Sequence, residues 1–241
     1  MKVTIQKYDP AVDALPYTKD YDIPYTENMT ALKAILDVHE KCEPIAFDYS
    51  CRGRVCGRCS VMVNGTAGTA CTTAIPDKAV TIEPLRGFRI VKDLVVDKTE
   101  FHDRISALEL RSRATEISYE DVLAPVDYDN VFMKLDPLEW CARCGSCQAM
   151  CPAVHDASSK DTYLGPAGMI AIGLRFFDPY DTGDRISQAV QEGLWNCIMC
   201  GMCDEVCPAL EIEHIATWTK LREEATARNL TQKKAPLLPF G

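Results

Sequence analysis

Positive charge is scarce in this sequence. Its 241 residues carry 26 Lys and Arg against 35 Asp and Glu, a net charge of −9. A nucleic-acid binder needs a basic face to neutralise phosphates, so that class is excluded. Long apolar runs are missing too. The best stretch, Gly165 to Phe177, falls short of the ~20 residues that span a bilayer and contains Arg175. The N-terminal Met-Lys-Val-Thr-Ile-Gln-Lys has no apolar core of the kind a secretory signal carries. We therefore expect no transmembrane segment on the chain itself. Its expected place is the cytoplasm, or the cytoplasmic face of a membrane through partner subunits. G-x-G-x-x-G, Walker and G-x-S-x-G motifs are absent, and no low-complexity segment occurs. The four histidines, His39, His102, His155 and His214, are scattered and read as structural. No residue is assigned a catalytic role, and no substrate site is expected on this chain. With 47% apolar and 25% charged residues the composition is that of a folded protein.

Cysteine is the exception, with 13 residues. A disulfide scaffold would be a small secreted chain, which this is not. The cysteines fall into three groups. Cys51, Cys56, Cys59 and Cys71 follow C-x4-C-x2-C…C, the plant-type 2Fe–2S pattern. Cys141, Cys144, Cys147 and Cys151 form C-x2-C-x2-C-x3-C-P, and Cys197, Cys200, Cys203 and Cys207 repeat it. Thiolates that converge from one tight loop, with backbone N–H groups facing inward, are what a cluster needs. In two-cluster bacterial ferredoxins the Cys of the C-P pair ligates the other cluster. One 4Fe–4S cluster is thus assigned to Cys141, Cys144, Cys147 and Cys207. The second falls to Cys197, Cys200, Cys203 and Cys151. Zinc prefers two well-separated C-x2-C knuckles and does not match this form. Each proline is expected to open a helix leading away, where its missing N–H costs little. Trp140 and Trp195, just before the two motifs, are expected to cover the clusters, as are Met150, Met199 and Met202. Arg52, Arg54 and Arg58 read either as surface charge offsetting the cluster or as a docking rim. Cys42 completes no set and reads as a buried or inert thiol.

Residues 2–8 and 20–26 read as paired strands. Thr30 is placed to cap a helix through Ala31, Leu32, Ile35, Leu36 and Val38. Ser60–Val63 runs into Asn64-Gly65, a hairpin signal. Val80–Ile82 and residues 90–95 read as closing strands. Helical spacing follows at Phe101, Ile105, Leu108 and Leu110, then at Met169–Phe177, Ile186–Leu194 and Ile212–Ala225. Residues 114–135 read as a loop or short helices, and the tail from Lys233 as extended or frayed.

A plant-type 2Fe–2S set followed by two ferredoxin motifs in this length resembles the iron–sulfur subunit of succinate dehydrogenase and fumarate reductase. Ala46-Phe47-Asp48-Tyr49-Ser50-Cys51-Arg52 through Cys56-Gly57-Arg58-Cys59 is similar to that family's 2Fe–2S loop. The resemblance implies an α+β chain, with an N-terminal β-grasp plant-type 2Fe–2S ferredoxin domain over 1–100. A helical bacterial-type two-cluster ferredoxin domain would follow over 101–241. It also implies a flavoprotein partner carrying FAD, and electrons passing from FAD through the three clusters to an acceptor, or in reverse. The usual member lacks a cysteine at the position of Cys200 and holds a 3Fe–4S cluster there; Cys200 implies a second 4Fe–4S cluster instead. Ile198 and Ala153-Val154-His155-Asp156 stand where the usual quinone pocket has His and Trp. The variant looks more like archaeal and anaerobic enzymes whose acceptor is a cysteine-rich subunit or a thiol pair. No Cys follows Cys207, so the expected acceptor is a separate cysteine-rich or membrane-anchor subunit. The alternatives are the same relay serving another flavoprotein, acting on a different organic acid or an acyl-CoA, and a free polyferredoxin.

Overall fold

The computed structural model describes residues 1–108, 110, 118–120, 128–159, 161–209 and 211–231. The backbone divides into two compact units. One comprises Met1–His102 with Ala142–Met150 and Glu205–Leu210; the other comprises Asp103–Cys141, Cys151–Asp204 and Glu211–Gly241.

The first unit is built on a five-stranded mixed sheet. Its strands are β1 (Lys2–Lys7), β2 (Tyr17–Asp22), β3 (Ser60–Val63), β4 (Thr66–Thr69) and β5 (Val80–Glu83), in the order β2-β1-β5-β3-β4. β1 alternates, burying Val3 and Ile5 on one face. It pairs antiparallel with β2 and parallel with β5, where Val3 lies opposite Val80 and Ile5 opposite Ile82. A parallel neighbour requires a crossover, and helix α1 (Ala31–Lys41) lies in it. Thr30 caps that helix, its Oγ1 accepting from Lys33 N at 3.3 Å. Ala31, Leu32, Ile35 and Val38 of α1 form one apolar cluster with Val3, Ile5, Val80 and Ile82 of the sheet. This is the β-grasp arrangement. A ribbon of β6 (Arg89–Lys92) and β7 (Val95–Asp97) leads into helix α2 (Thr99–Ser106).

Between β6 and β7, Asp93 is buried at φ 46°. Its carboxylate accepts from Lys7 Nζ at 3.0 Å, Tyr8 N at 3.1 Å and Ala46 N at 2.9 Å. A buried carboxylate is tolerable only when paired and hydrogen-bonded in this way. The knot fixes the segment that runs from Ala46 into the first cysteine loop. Short helix α4 (Ser146–Met150) belongs to this unit, with Ala149 and Met150 packed on Met62, Ala67 and Leu85.

The second unit is helical among its described residues. It contains α3 (Tyr128–Glu139), α5 (Pro152–His155), α6 (Pro166–Phe177), α7 (Arg185–Gln191), a 3-10 turn (Leu194–Asn196) and α9 (His214–Ala227). Short helix α8 (Met202–Glu205) lies within the third cysteine group and carries Cys203. α6 is apolar enough to be buried over most of its length and packs on α3, α7 and α9. Arg185 and Asp181 form a buried ion pair at 2.8 Å. No helix among the described residues is long and apolar enough to cross a membrane.

Several local expectations are corrected. β2 occupies 17–22 rather than 20–26, because only Tyr21 of this edge strand is buried and the apolar pattern misplaces it. Residues 90–95 are two strands, split by the Asp93 turn. The helix expected to reach Leu194 stops at Gln191, and Gly193 at φ 86° turns the chain into the 3-10 segment. A helix begins at Tyr128, inside the segment read as loop or short helices. Pro152 opens a helix as expected, but Pro208 sits in a bend. Cys42 is exposed, not buried. The tail from Lys233 lies outside the described residues.

Candidate iron–sulfur centres

The first centre is built on a ladder of rings. His39 on α1 is held by Ile45, whose N lies 3.1 Å from its Nδ1. Phe47 meets His39 edge-on at 5.6 Å, Tyr49 stacks on Phe47 at 5.2 Å, and the Arg52 guanidinium lies over Tyr49 at 5.2 Å. The ladder delivers the chain to Cys51. Arg52, Arg54 and Gly57 then take positive φ angles of 56°, 72° and 63°. Such a succession turns backbone amides inward, the geometry that suits anionic ligands. Gly53 N and Cys56 N both donate to Cys51 Sγ at 3.3 Å. These amides lower the Cys51 thiol to about 7, with Cys56 beside it. Burial raises the Cys59 thiol to about 12, and Cys71 and Cys56 face it. The four sulfur-bearing residues of this group thus lie together, all as free cysteines.

Cys144, Cys147 and Cys207 belong to the same unit, while Cys141 falls in the other. Cys144 and Cys147 are buried, and Cys144 Sγ donates to Ser146 Oγ at 3.4 Å. The loop carrying Cys144 meets the loop from Cys51 to Cys59 closely. A Cβ on Gly57 would stand 2.7 Å from Cys144 Cβ and 3.0 Å from Ala142 O.

The third set lies in the second unit. Burial raises the thiols of Cys151 to about 11 and Cys203 to about 12, and raises Cys197 as well. Cys197 and Cys200 face Cys151, and Cys197 and Cys151 face Cys203. Amides answer this burial: Met199 N donates to Cys197 Sγ at 3.4 Å, and Ala153 N and Val154 N point at Cys151. The two repeat loops share their unusual backbone. Arg143 (49°) matches Met199 (58°), and Gly145 (88°) matches Gly201 (78°), all at positive φ.

The donor chemistry fits clusters: convergent free thiols, amides aimed at sulfur and no disulfide. Cys203, Asp204 and His214 also lie within metal-binding reach of one another. Asp204 is instead occupied as a helix cap, accepting from His214 N at 2.5 Å and Ile215 N at 3.2 Å. His214 is buried, with its Nδ1 3.0 Å from the Asp204 carboxylate.

Sequence reasoning missed three neighbours of these sites. Tyr163 is fully buried and its hydroxyl faces the Cys197 thiol. Arg222 donates to the carbonyls of Leu194 and Cys197 at 3.0 and 2.5 Å and lies over the Trp195 ring. Lys98 donates to Cys144 O at 2.8 Å. No local pattern marks any of them. Trp195 is held by Leu230 O at 3.0 Å, but Trp140 is 54% exposed and is no buried lid.

Comparison with known proteins finds iron–sulfur domains over both parts of the chain. A 2Fe–2S iron–sulfur cluster binding domain matches residues 2–103, and a 4Fe–4S dicluster domain matches residues 137–210. The fumarate reductase iron–sulfur subunit of Escherichia coli O157:H7 is 30% identical over 217 residues, 86% of either chain. The chain belongs to the fumarate reductase and succinate dehydrogenase iron–sulfur subunit family. The Bacillus subtilis succinate dehydrogenase iron–sulfur subunit is 28% identical, again over 86% of each. A fumarate reductase (CoM/CoB) chain from Methanothermobacter marburgensis is 37% identical over 211 residues. That match covers 86% of this chain but 41% of the relative, and the chain spans well under half the length of such archaeal relatives. A chain of the Mycobacterium smegmatis Sdh1 complex superimposes with a TM-score of 0.83 at 24% identity, covering 98% of both chains, which establishes the shared fold.

Proposed function

We propose that this chain is the electron-transfer subunit of a succinate dehydrogenase or fumarate reductase-type complex. It relays electrons between an FAD-carrying flavoprotein and a further acceptor subunit, quinone-reactive or cysteine-rich. The clusters supply one-electron carriers between a two-electron flavin and that acceptor. Cys51, Cys56, Cys59 and Cys71 hold the 2Fe–2S cluster. Cys141, Cys144, Cys147 and Cys207 hold one 4Fe–4S cluster, and Cys151, Cys197, Cys200 and Cys203 the other. On this reading the 2Fe–2S domain is residues 1–100, the two-cluster domain is residues 101–241, and the complex works on the cytoplasmic side.

The observation that carries the reading is the approach of Gly57 to Cys144. It brings the backbone of one ligand loop into van der Waals contact with the next, so that no side chain intervenes. Cys51, Tyr49 and Val55 are exposed at the outer end of the first loop, open to an electron donor. Presence of Cys200 supports a second 4Fe–4S cluster.

The test is anaerobic isolation of the tagged chain from its native host, with its companions identified by mass spectrometry and its clusters followed by EPR. A co-isolated FAD subunit and cluster signals that appear with succinate and vanish with fumarate are expected. A different flavoprotein would replace the substrate, and a chain isolated alone with intact clusters would make it a free carrier.

A further inference from the structure

Lys98 stands between β7 and α2, where the Asp97 carboxylate accepts from Thr99 N at 2.9 Å and fixes the backbone. Its side chain turns inward. The ammonium donates to Cys144 O at 2.8 Å, and the acidic groups facing it are Cys144, Asp48, Cys59 and Cys56. Cys56 and Cys59 belong to the first cysteine set and Cys144 to the second. Lys98, Asp48, Cys56, Arg58, His102 and Arg143 line one cavity of about 330 Å³. Arg58 is an exposed cation and is screened by water and salt. Lys98 is partly desolvated and aimed at the sulfur-bearing loops, so its field reaches them with less loss.

An electron arriving at a cluster adds one negative charge. A fixed cation beside the ligands stabilises that reduced state, and one placed between two ligand sets acts on both. Charge and hydrogen bonding near the sulfurs are recognised levers on cluster potential. We propose that Lys98 is an electrostatic bridge between the first two cluster sites, holding both at higher potential than their ligands alone would give. The idea rests on the cluster assignments above. It adds a positioning residue that no cysteine motif announces.

The experiment uses the full chain isolated anaerobically with its clusters, in native form and as Lys98→Gln, Lys98→Met and Lys98→Arg. Iron content and the number of EPR signals in the native protein test the assignments alone. Potentiometric titration followed by EPR then tests Lys98. Gln and Met are expected to shift the 2Fe–2S and the neighbouring 4Fe–4S equilibria toward the oxidised form about tenfold, or about 59 mV for one electron. Arg is expected to hold the native values, and the Cys151–Cys203 set to stay unmoved in every variant. Unshifted potentials in Gln and Met would overturn the proposal. So would a shift in Met but not Gln, since Gln can keep the bond to the Cys144 carbonyl and loses only the charge. A shift in Arg equal to that in Met would point to shape, and iron lost from Gln and Met but kept in Arg would point to cluster assembly; either overturns it.

Discussion

Replacing Gly57 by Ala should separate two costs that coincide at that position. Gly57 has φ +63°, and an L-residue in this region is strained by about 1–2 kcal/mol. The added methyl would also stand 2.7 Å from Cys144 Cβ and 3.0 Å from Cys144 Cα and Ala142 O. Two of those three atoms are backbone and cannot swing aside, so the ligand loops must part. Overpacking of this kind costs about 1–3 kcal/mol. The sum is about 2–5 kcal/mol, or a fall in melting temperature of roughly 4–20 °C for a chain of this size. Gly65 supplies the control. It lies at φ +81° in the β3–β4 turn with nothing within 4 Å of a Cβ, so Gly65→Ala carries the backbone cost alone. Thermal denaturation of both variants, read by circular dichroism under anaerobic conditions, gives the difference. Rapid-freeze EPR of the same proteins reads the transfer between the first two clusters, which should slow in Gly57→Ala and not in Gly65→Ala. Equal stability losses, or an unchanged transfer rate in Gly57→Ala, would refute the argument that the close approach carries the relay.

Cys200→Ala is expected to cost little stability, since Cys200 is exposed, but to leave a 3Fe–4S cluster or an empty site; unchanged iron content and EPR signals would remove Cys200 from the ligand set. Tyr163→Phe removes a buried hydroxyl that, among the described residues, has no hydrogen-bond partner other than the Cys197 sulfur it faces. The fold should hold while the potential of the cluster proposed at Cys151, Cys197, Cys200 and Cys203 drops, and a titration that overlays the native one would contradict this. In the cluster-free chain, alkylation by iodoacetamide at pH 7 followed by mass spectrometry should label Cys51 first, because its thiol is lowered to about 7. Cys59, Cys151 and Cys203, raised to about 12, 11 and 12, should react last. Raised thiols favour the protonated folded state, so their contribution to the cluster-free fold is complete below about pH 9 and is lost as pH climbs toward 11–12.

The features legible in the sequence are those encoded within a few residues. The cysteine spacings, the Thr30 cap and the Asn64-Gly65 turn each need only a short window, and the cap and the turn each mark an element that is present. What escaped detection depends on partners far apart in the chain. Lys98 and Cys144 are 46 positions apart, and Lys7 and Asp93 are 86. Nothing near Lys98 distinguishes it from a solvated lysine; only the folded chain turns it inward. Tyr163 likewise precedes an apolar helix and reads as core, because periodicity reports burial and not which sulfur a hydroxyl meets. Trp140 shows the reverse error, since an aromatic beside a motif suggests a cover that the fold does not make.

The matched backbone of the two repeat loops has unequal consequences for substitution. Gly145 and Gly201 share one conformation, yet their surroundings differ. A Cβ on Gly145 would meet Leu85 and Phe88 at 3.0 Å, whereas Gly201 has nothing within 4 Å. Asn and Asp tolerate the left-handed region where other side chains do not. An Asn or Asp at position 145 would therefore push on Leu85 and Phe88, whereas at position 201 it would meet no protein atom with its Cβ.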